Sequence, residues 1–478
     1  MSSRIEEDAY GEVAIAAEAY WGPQTERARR LFAIGGERLP ASVIHCFGAQ
    51  KAAAARANLA LGLLPEALAE AIVAAAEEMR DGRFDGHFPI SLWQTGSGTQ
   101  TNMNANEVIA NRANALLGRP LGSRAPVHPN DHVNLGQSSN DTFPTVMHLC
   151  ALRALFGTLA PAVADLRAAL LDRAEAFHGH LKPGMTHLQE ALPVTLGSEF
   201  RTWEGQIADA WAAIERQAAA LCELPQGGTA SGSGVNAAPG FAARVAEALG
   251  AFAGRPLTAS PRPSRLMAAH DGFAALSGGL GLLATALLKA CNDIRLLTSG
   301  LGGRPAVTLP DEGLSSSIMP AKRNATVCEA VIQVCLRVLG SGQTVLAANA
   351  SGTLQLNTCK PLILHEVLTS IGLLADAQRV LASGCIRGLE ADRERLRDSL
   401  ERAPVLGTLL APLIGYDAAA RLTREAAATG QPLRALVLRD GILSAADYDA
   451  RLAEILDPDR LDPPEADSRE QTGRSPLR

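Results

Sequence analysis

The sequence predicts an all-α protein built around a long central bundle of helices, and three observations carry that expectation. Ala and Leu dominate a chain that is 47% hydrophobic but only 4% aromatic, which favours long helices packed through small and straight side chains. Two apolar stripes step by threes and fours: Leu196, Phe200, Trp203, Ile207, Ala210, Ile214, Ala218, Leu221, and Phe273, Leu276, Leu280, Leu283, Leu287, Ala290, Ile294, Leu297. A third runs through Val327, Val331, Val334, Val338 and Val345. A period near 3.5 residues held this long buries one face of each helix in a near-parallel bundle. The opposite faces carry many Ala, as in an oligomer whose subunits share one bundle.

In chain order, residues 1–140 mix short helices with Gly-, Pro- and Asn-rich connections and form an expected N-terminal domain. Residues 141–390 carry the stripes and form the bundle domain. Residues 391–456 are more charged, with short helices and a turn at Arg439-Asp-Gly441, and read as a small C-terminal domain. Residues 457–478 are charged and Pro-rich and are expected to be disordered. Gly-Gly-Leu-Gly at 278–281 falls inside a stripe, where close helix packing explains it better than phosphate binding.

Composition excludes several classes. Net charge is -6 with acids and bases mixed, and no basic patch interleaves with aromatics, so nucleic acid is not expected as a partner. Eight cysteines are scattered without Cys-x-x-Cys, and most lie in apolar helical stretches, where a thiol acts as a small hydrophobe. No His cluster has metal-ligand spacing. The N-terminus lacks a signal-peptide apolar core. The apolar run Gly278 to Leu288 is read as too short to span a bilayer and as ended by Lys289. A cytoplasmic protein with no membrane contact is the expectation.

Four polar clusters stand out. The first, Thr95 to Glu107, is rich in Gly, hydroxyls and amides; it reads as a loop before a helix beginning near Asn104. The second joins His128-Pro-Asn-Asp131 to Gln137-Ser-Ser-Asn-Asp141; its Ser and Asn residues can cap a helix or bind a carboxylate. The third, Thr186-His-Leu-Gln189, holds a His that can titrate near neutral pH. The fourth is Ser315-Ser-Ser-Ile-Met-Pro-Ala-Lys-Arg-Asn324, a hydroxyl-rich loop broken by Pro320 and leading into a helix opened by Thr326, with Glu329 as a capping-box acid. Together they supply neutral donors, His128 and His187, one Lys, and no dedicated metal ligands. That inventory suits binding a small dicarboxylate and removing a proton beside a carboxylate, which needs oriented donors and a cation for the dianionic intermediate.

With these residues in view the chain resembles the class II fumarases (fumarate hydratases) of the fumarase/aspartase superfamily. The resemblance runs in family order through Trp21-Gly-Pro-Gln-Thr25, Trp93 to Asn104, Val127 to Asp131, Gln137 to Asp141, Thr186 to Gln189, Gly227-Gly-Thr229, Ser316-Ser-Ile-Met-Pro320 and Ile414-Gly-Tyr416, covering about residues 4–455. It implies a three-domain helical subunit, a homotetramer with active sites shared by three subunits, and no metal or organic cofactor. It implies that fumarate and L-malate are interconverted, as in the tricarboxylic acid cycle. By the same resemblance Ser316 takes the C3 proton of malate, and His187, paired with Glu329, handles the water at C2. Ser97, Gly98, Thr99, Ser138, Ser139, Asn140, Thr186, Ser317, Lys322 and Asn324 match substrate-binding positions. His128, Asn130 and Asp131 match a second, non-catalytic carboxylate site.

The loop departs from the family's pattern. Ser315, Ala321, Arg323 and Ala325 stand where Gly, Gly, Val and Pro are usual, and Met185 stands where Arg is common. Losing the Pro after Asn324 frees that residue to be helical. Two other readings stay open. Ala321 resembles the loop of aspartate ammonia-lyase, although Gly98-Thr-Gln100 and Gln137-Ser-Ser139 resemble fumarase. A non-catalytic protein that keeps the scaffold is the second.

Overall fold

The stripe of Leu196 to Leu221 becomes the buried face of the helix Leu196–Ala220, and all eight of its members are buried. The second stripe does the same for Asp271–Leu297, with Leu297 alone half-buried at the fraying end. These elements belong to a computed structural model that describes residues 2–301, 305–311, 313, 318–319 and 322–463. The chain is mostly helical, with 63% of residues in helices. The described strands form four two-stranded sheets.

The third stripe holds at Val331, Val338 and Val345 and moves by one residue at its other two positions. In the helix Thr326–Asn349 the buried row is Cys328, Val331, Cys335, Val338, Ser341, Val345 and Ala348, while Val327 and Val334 lie half-buried on its flank. Thiols fill two of the inward positions, as small apolar side chains can. All eight cysteines are free thiols.

Lys289 interrupts the apolar run, but the helix runs on past it, as the stripe through Leu297 predicts. The lysine sits on an exposed face and pairs with Asp293 one turn on, so the helix continues to Leu297. The length argument against a membrane span is thereby corrected. Three described helices are long and apolar enough to cross a bilayer: Ser139–Ala176, Asp271–Leu297 and Thr326–Asn349. The first two bury more than half of their most apolar window within the chain, but the third buries only 28%. Its exposed Leu336 and Leu346 lie off the buried row.

The chain divides into two compact units. The first comprises residues 1–162, 210–284 and 334–376. Here a Cβ on Gly279 would come within 3.0 Å of Ile214, so the glycine at this position lets two helices approach closely, as its place in the stripe predicts. Arg337 pairs with the nearly buried Glu366 at 3.0 Å.

The second unit comprises residues 163–209, 285–333 and 377–478. Trp203 donates its indole N–H to Asp293 at 3.0 Å. Residues 181–195, ahead of the first stripe, form an antiparallel hairpin, Leu181–Thr186 paired with Gln189–Thr195. Five short helices between Arg393 and Ile455 enclose a core of Leu400, Leu406, Leu410, Leu422, Leu436 and Tyr448. Asp440 and Gly441 turn the chain there, with Gly441 at φ +63.

The expectation of disorder from residue 457 is corrected for its first residues. Asp457 caps a short helix, Pro458–Leu461, with Pro at its first position. The nearly buried Asp462 carboxylate accepts from Arg201 at 3.1 Å and Thr195 at 3.2 Å. These partners replace water and hold the segment. Residues 464–478 lie outside the described residues.

Candidate active site

Two helix N-termini in the first unit meet through their first hydroxyls. Thr99 opens the helix Thr99–Leu116 and Ser139 opens Ser139–Ala154; their side-chain oxygens are 2.7 Å apart. Ser97 Oγ lies 2.8 Å from Thr99 Oγ1. Exposed backbone N–H groups and the helix dipoles favour a negative ligand at such ends.

The Thr99 helix starts five residues earlier than the sequence suggested. Gly98, at φ +76, turns the chain into the helix, and the Phe143 ring occupies the space a Cβ would need. Asn is a weak helix former, yet tertiary partners hold these amides inside the helix. Asn102 and Asn106 donate to Asn134 Oδ1 at 3.2 and 3.1 Å, and Asn104 donates to the His87 carbonyl at 3.0 Å.

Ser138 caps its helix with a full capping box: Asn140 N donates to Ser138 Oγ, and Ser138 N donates to Asp141. Asn140 Nδ2 donates to the Ala230 carbonyl at 2.8 Å. The buried Asp141 carboxylate also accepts from Gly227 N at 3.0 Å and Thr229 N at 2.9 Å. Burial pushes this carboxyl up to about 6, against the pull of those N–H groups and of Lys51. Replacing Asp141 by Asn puts an NH2 group against backbone donors. We expect a loss of about 1–3 kcal/mol in urea unfolding and a displaced Ser138 cap.

The two N-termini open on a cleft of about 980 Å3, lined by Thr99, Ser138 and Ser139 together with Asn130, Asp131 and Thr229. His128 caps the π-helical turn Pro129–Val133, accepting from Asn130 N and Asp131 N. Arg124 Nη2 stands 2.7 Å from His128 Nε2. Burial lowers this imidazole below the usual histidine range; Asp131 opposes the shift, and Arg124 and His132 add to it. Sequence reasoning missed Asn102, Asn134 and Arg124. Asn102 and Asn106, four apart on a buried helix face, were the available signal for the first two; Arg124 offered none.

Family models match most of the chain. A lyase model covers residues 11–340, and a fumarase C C-terminus model covers residues 406–461. A class II fumarate hydratase of Pseudomonas aeruginosa is 47% identical over 448 residues, covering 94% of this chain and 97% of that protein. One from Rhizobium meliloti is 45% identical over 450 residues, covering 94% of this chain and 97% of its own length. The crystal structure of a class II fumarase from Schistosoma mansoni matches with a TM-score of 0.91 and 35% identity, over 97% of this chain and 100% of that one. The chain belongs to the class II fumarase family.

The remaining candidate site residues of this fumarase chain that the structure describes fall in the second unit. Thr186, His187, Lys322, Asn324 and Glu329 are all exposed. Ser316 and Ser317 lie outside the described residues, as do Ser315 and Ala321. His187 and Leu188 form the two-residue hairpin turn, at φ +55 and +58. This geometry favours Asn-Gly, a preference that His187 and Leu188 do not meet. Among the described residues, no hydrogen bond or ion pair joins His187 to Glu329 within the chain; Glu329 lies 3.7 Å from Arg295. Arg323 pairs with Asp311 at 3.1 Å, which engages the cation that replaces Val. Asn324 stays outside the helix despite the lost Pro, because the helix starts at Thr326 and Ala325 O accepts the first helical bond, from Glu329 N.

Proposed function

We propose that this chain interconverts fumarate and L-malate by anti addition and elimination of water. The observation that carries the reading is the meeting of the Thr99 and Ser139 helix N-termini on a cleft lined mainly by neutral polar groups, with Asp131 as its one charged side chain among the described lining residues. That arrangement suits a carboxylate whose charge rises in the transition state. In the dehydration direction Ser316, as alkoxide, takes the C3 proton of malate. The C–H electron pair moves into the adjacent carboxylate, giving a doubly charged aci-carboxylate. Collapse of that species forms the C2–C3 double bond and expels the C2 hydroxyl, which takes a proton from His187 and leaves as water.

In this reading Ser97, Gly98, Thr99, Ser138, Ser139 and Asn140 come from one protomer, and Thr186, His187, Ser317, Lys322 and Asn324 from its neighbours. Glu329 pairs with His187 across such a boundary. His128, Asn130 and Asp131 form the second carboxylate site. The exposed apolar flank of the Thr326 helix supports a homotetramer with a shared bundle. The division into domains 1–140, 141–390 and 391–456, a cytoplasmic location and a role in the tricarboxylic acid cycle belong to the same proposal.

Ultraviolet absorbance of fumarate tests it. Malate alone should yield fumarate, with turnover unchanged by a chelator, and light scattering should give the mass of four chains. Fumarate formed from aspartate instead would make the protein an ammonia-lyase. Silence with both substrates in a folded tetramer would favour a scaffold without this chemistry.

A further inference from the structure

The helix Ala41–Ala60 sinks Lys51 completely into the first unit. Its ammonium donates to Asn134 Oδ1 and Gln137 Oε1, both at 3.1 Å. Neither partner is a carboxylate, and Asp141 is the negative charge that acts on it. Burying an ammonium among amides is costly for the fold. Burial accordingly pushes this group down to about 7.

The amides do not need the lysine for their own sake. Gln137 Oε1 also accepts from Gln50 at 3.0 Å, and Asn134 Oδ1 also accepts from Asn102 and Asn106. A neutral side chain at position 51 would therefore leave neither oxygen without a donor. Asn134 and Gln137 both line the cleft. Their N–H groups tie the turn that leads into Ser138: Asn134 Nδ2 donates to Gln137 O at 3.1 Å, and Gln137 Nε2 to Val133 O at 3.0 Å. Among its described lining residues the cleft has no Lys, Arg or His, and Asp131 is its one charged side chain. At the Thr99 and Ser139 end of the cleft a dicarboxylate meets neutral donors, with one ammonium behind them; Asp131 is the carboxylate elsewhere in the lining.

We propose that Lys51 is a positioning residue of the carboxylate site: acting through Asn134 and Gln137, it fixes the turn that presents Ser138 to Asn140 and supplies positive charge behind it. The inference rests on the hydratase reading only for the class of ligand, a C4 dicarboxylate. A depressed lysine holds its proton less tightly folded than unfolded. Its stability cost is therefore full below about pH 7 and disappears above the unfolded value. A purely structural lysine predicts the opposite behaviour on removal.

The test uses the full chain with Lys51→Met and Lys51→Gln, and succinate as the probe in titration calorimetry at pH 7. We expect succinate affinity to fall at least tenfold, KM for malate to rise by more than kcat falls, and the melting temperature to equal or exceed that of wild type. Wild-type affinity in either folded variant overturns the proposal. So does failure of both variants to fold, which would make the lysine structural. Because succinate binding is read directly, a wild type that binds succinate but is inactive toward malate counts against the hydratase reading alone.

Discussion

Replacing His187 by Asn is expected to lower kcat by roughly 10²–10⁴-fold, the range for loss of a general acid–base group. The fold should not change. His187 is exposed at the tip of a two-residue turn, and Asn is among the residues that best tolerate its positive φ. The melting temperature should therefore match wild type while the ultraviolet assay falls. The proposal of shared sites adds a second expectation. Mixing His187→Asn chains with Ser139→Ala chains, with subunit exchange, should restore part of the lost activity, because some pockets then combine two intact contributions. No recovery in proven mixed tetramers would place His187 and Ser139 of one pocket on the same chain, or His187 outside the chemistry.

Gly98→Ala should damage both the stability of the first unit and its carboxylate site. Gly98 sits at φ +76, where an L side chain is strained, and its Cβ would lie 2.1 Å from the Phe143 ring. That ring is fully buried and packs edge-on to Phe47 with centroids 5.9 Å apart. It has little room to retreat. Strain and overpacking together should cost about 3 kcal/mol or more, read as a lower urea midpoint at constant slope. The Thr99 N-terminus would shift away from Ser139, so KM should rise even where the variant still folds. Wild-type stability would mean that the Phe143 contact is loose.

The helical seams were legible because burial imposes a period that a one-dimensional string preserves. Phe273 to Ile294 needed only spacing and apolarity to be placed inward. In the seam of Thr326–Asn349, Val331, Val338 and Val345 were read correctly, but Val327 and Val334 were chosen over the neighbouring Cys328 and Cys335, which packing rather than hydropathy turned inward. The first turn of the Thr99 helix, up to about Asn104, read as loop because the segment is rich in Gly, hydroxyls and amides, and partners such as Asn134 and the His87 carbonyl hold its amides in the helix. The hairpin around His187 left no clear signal, since its turn residues are not those a hairpin ordinarily selects.

The sequence by itself determined that this protein is a helical member of the class II fumarases, and it picked out Ser97, Thr99, Ser138 and Ser139 as the candidate carboxylate-binding groups of the proposal. Helix period and motif order are local properties, so they survive without coordinates. Only the tertiary structure decided that Thr99 and Ser139 touch and that Lys51 lies buried behind Gln137. It also showed that His187 and Glu329 are not bonded to each other within the chain, among the described residues. Each of these depends on which distant segments pack side by side, and that is a property of the folded chain that residue spacing does not encode.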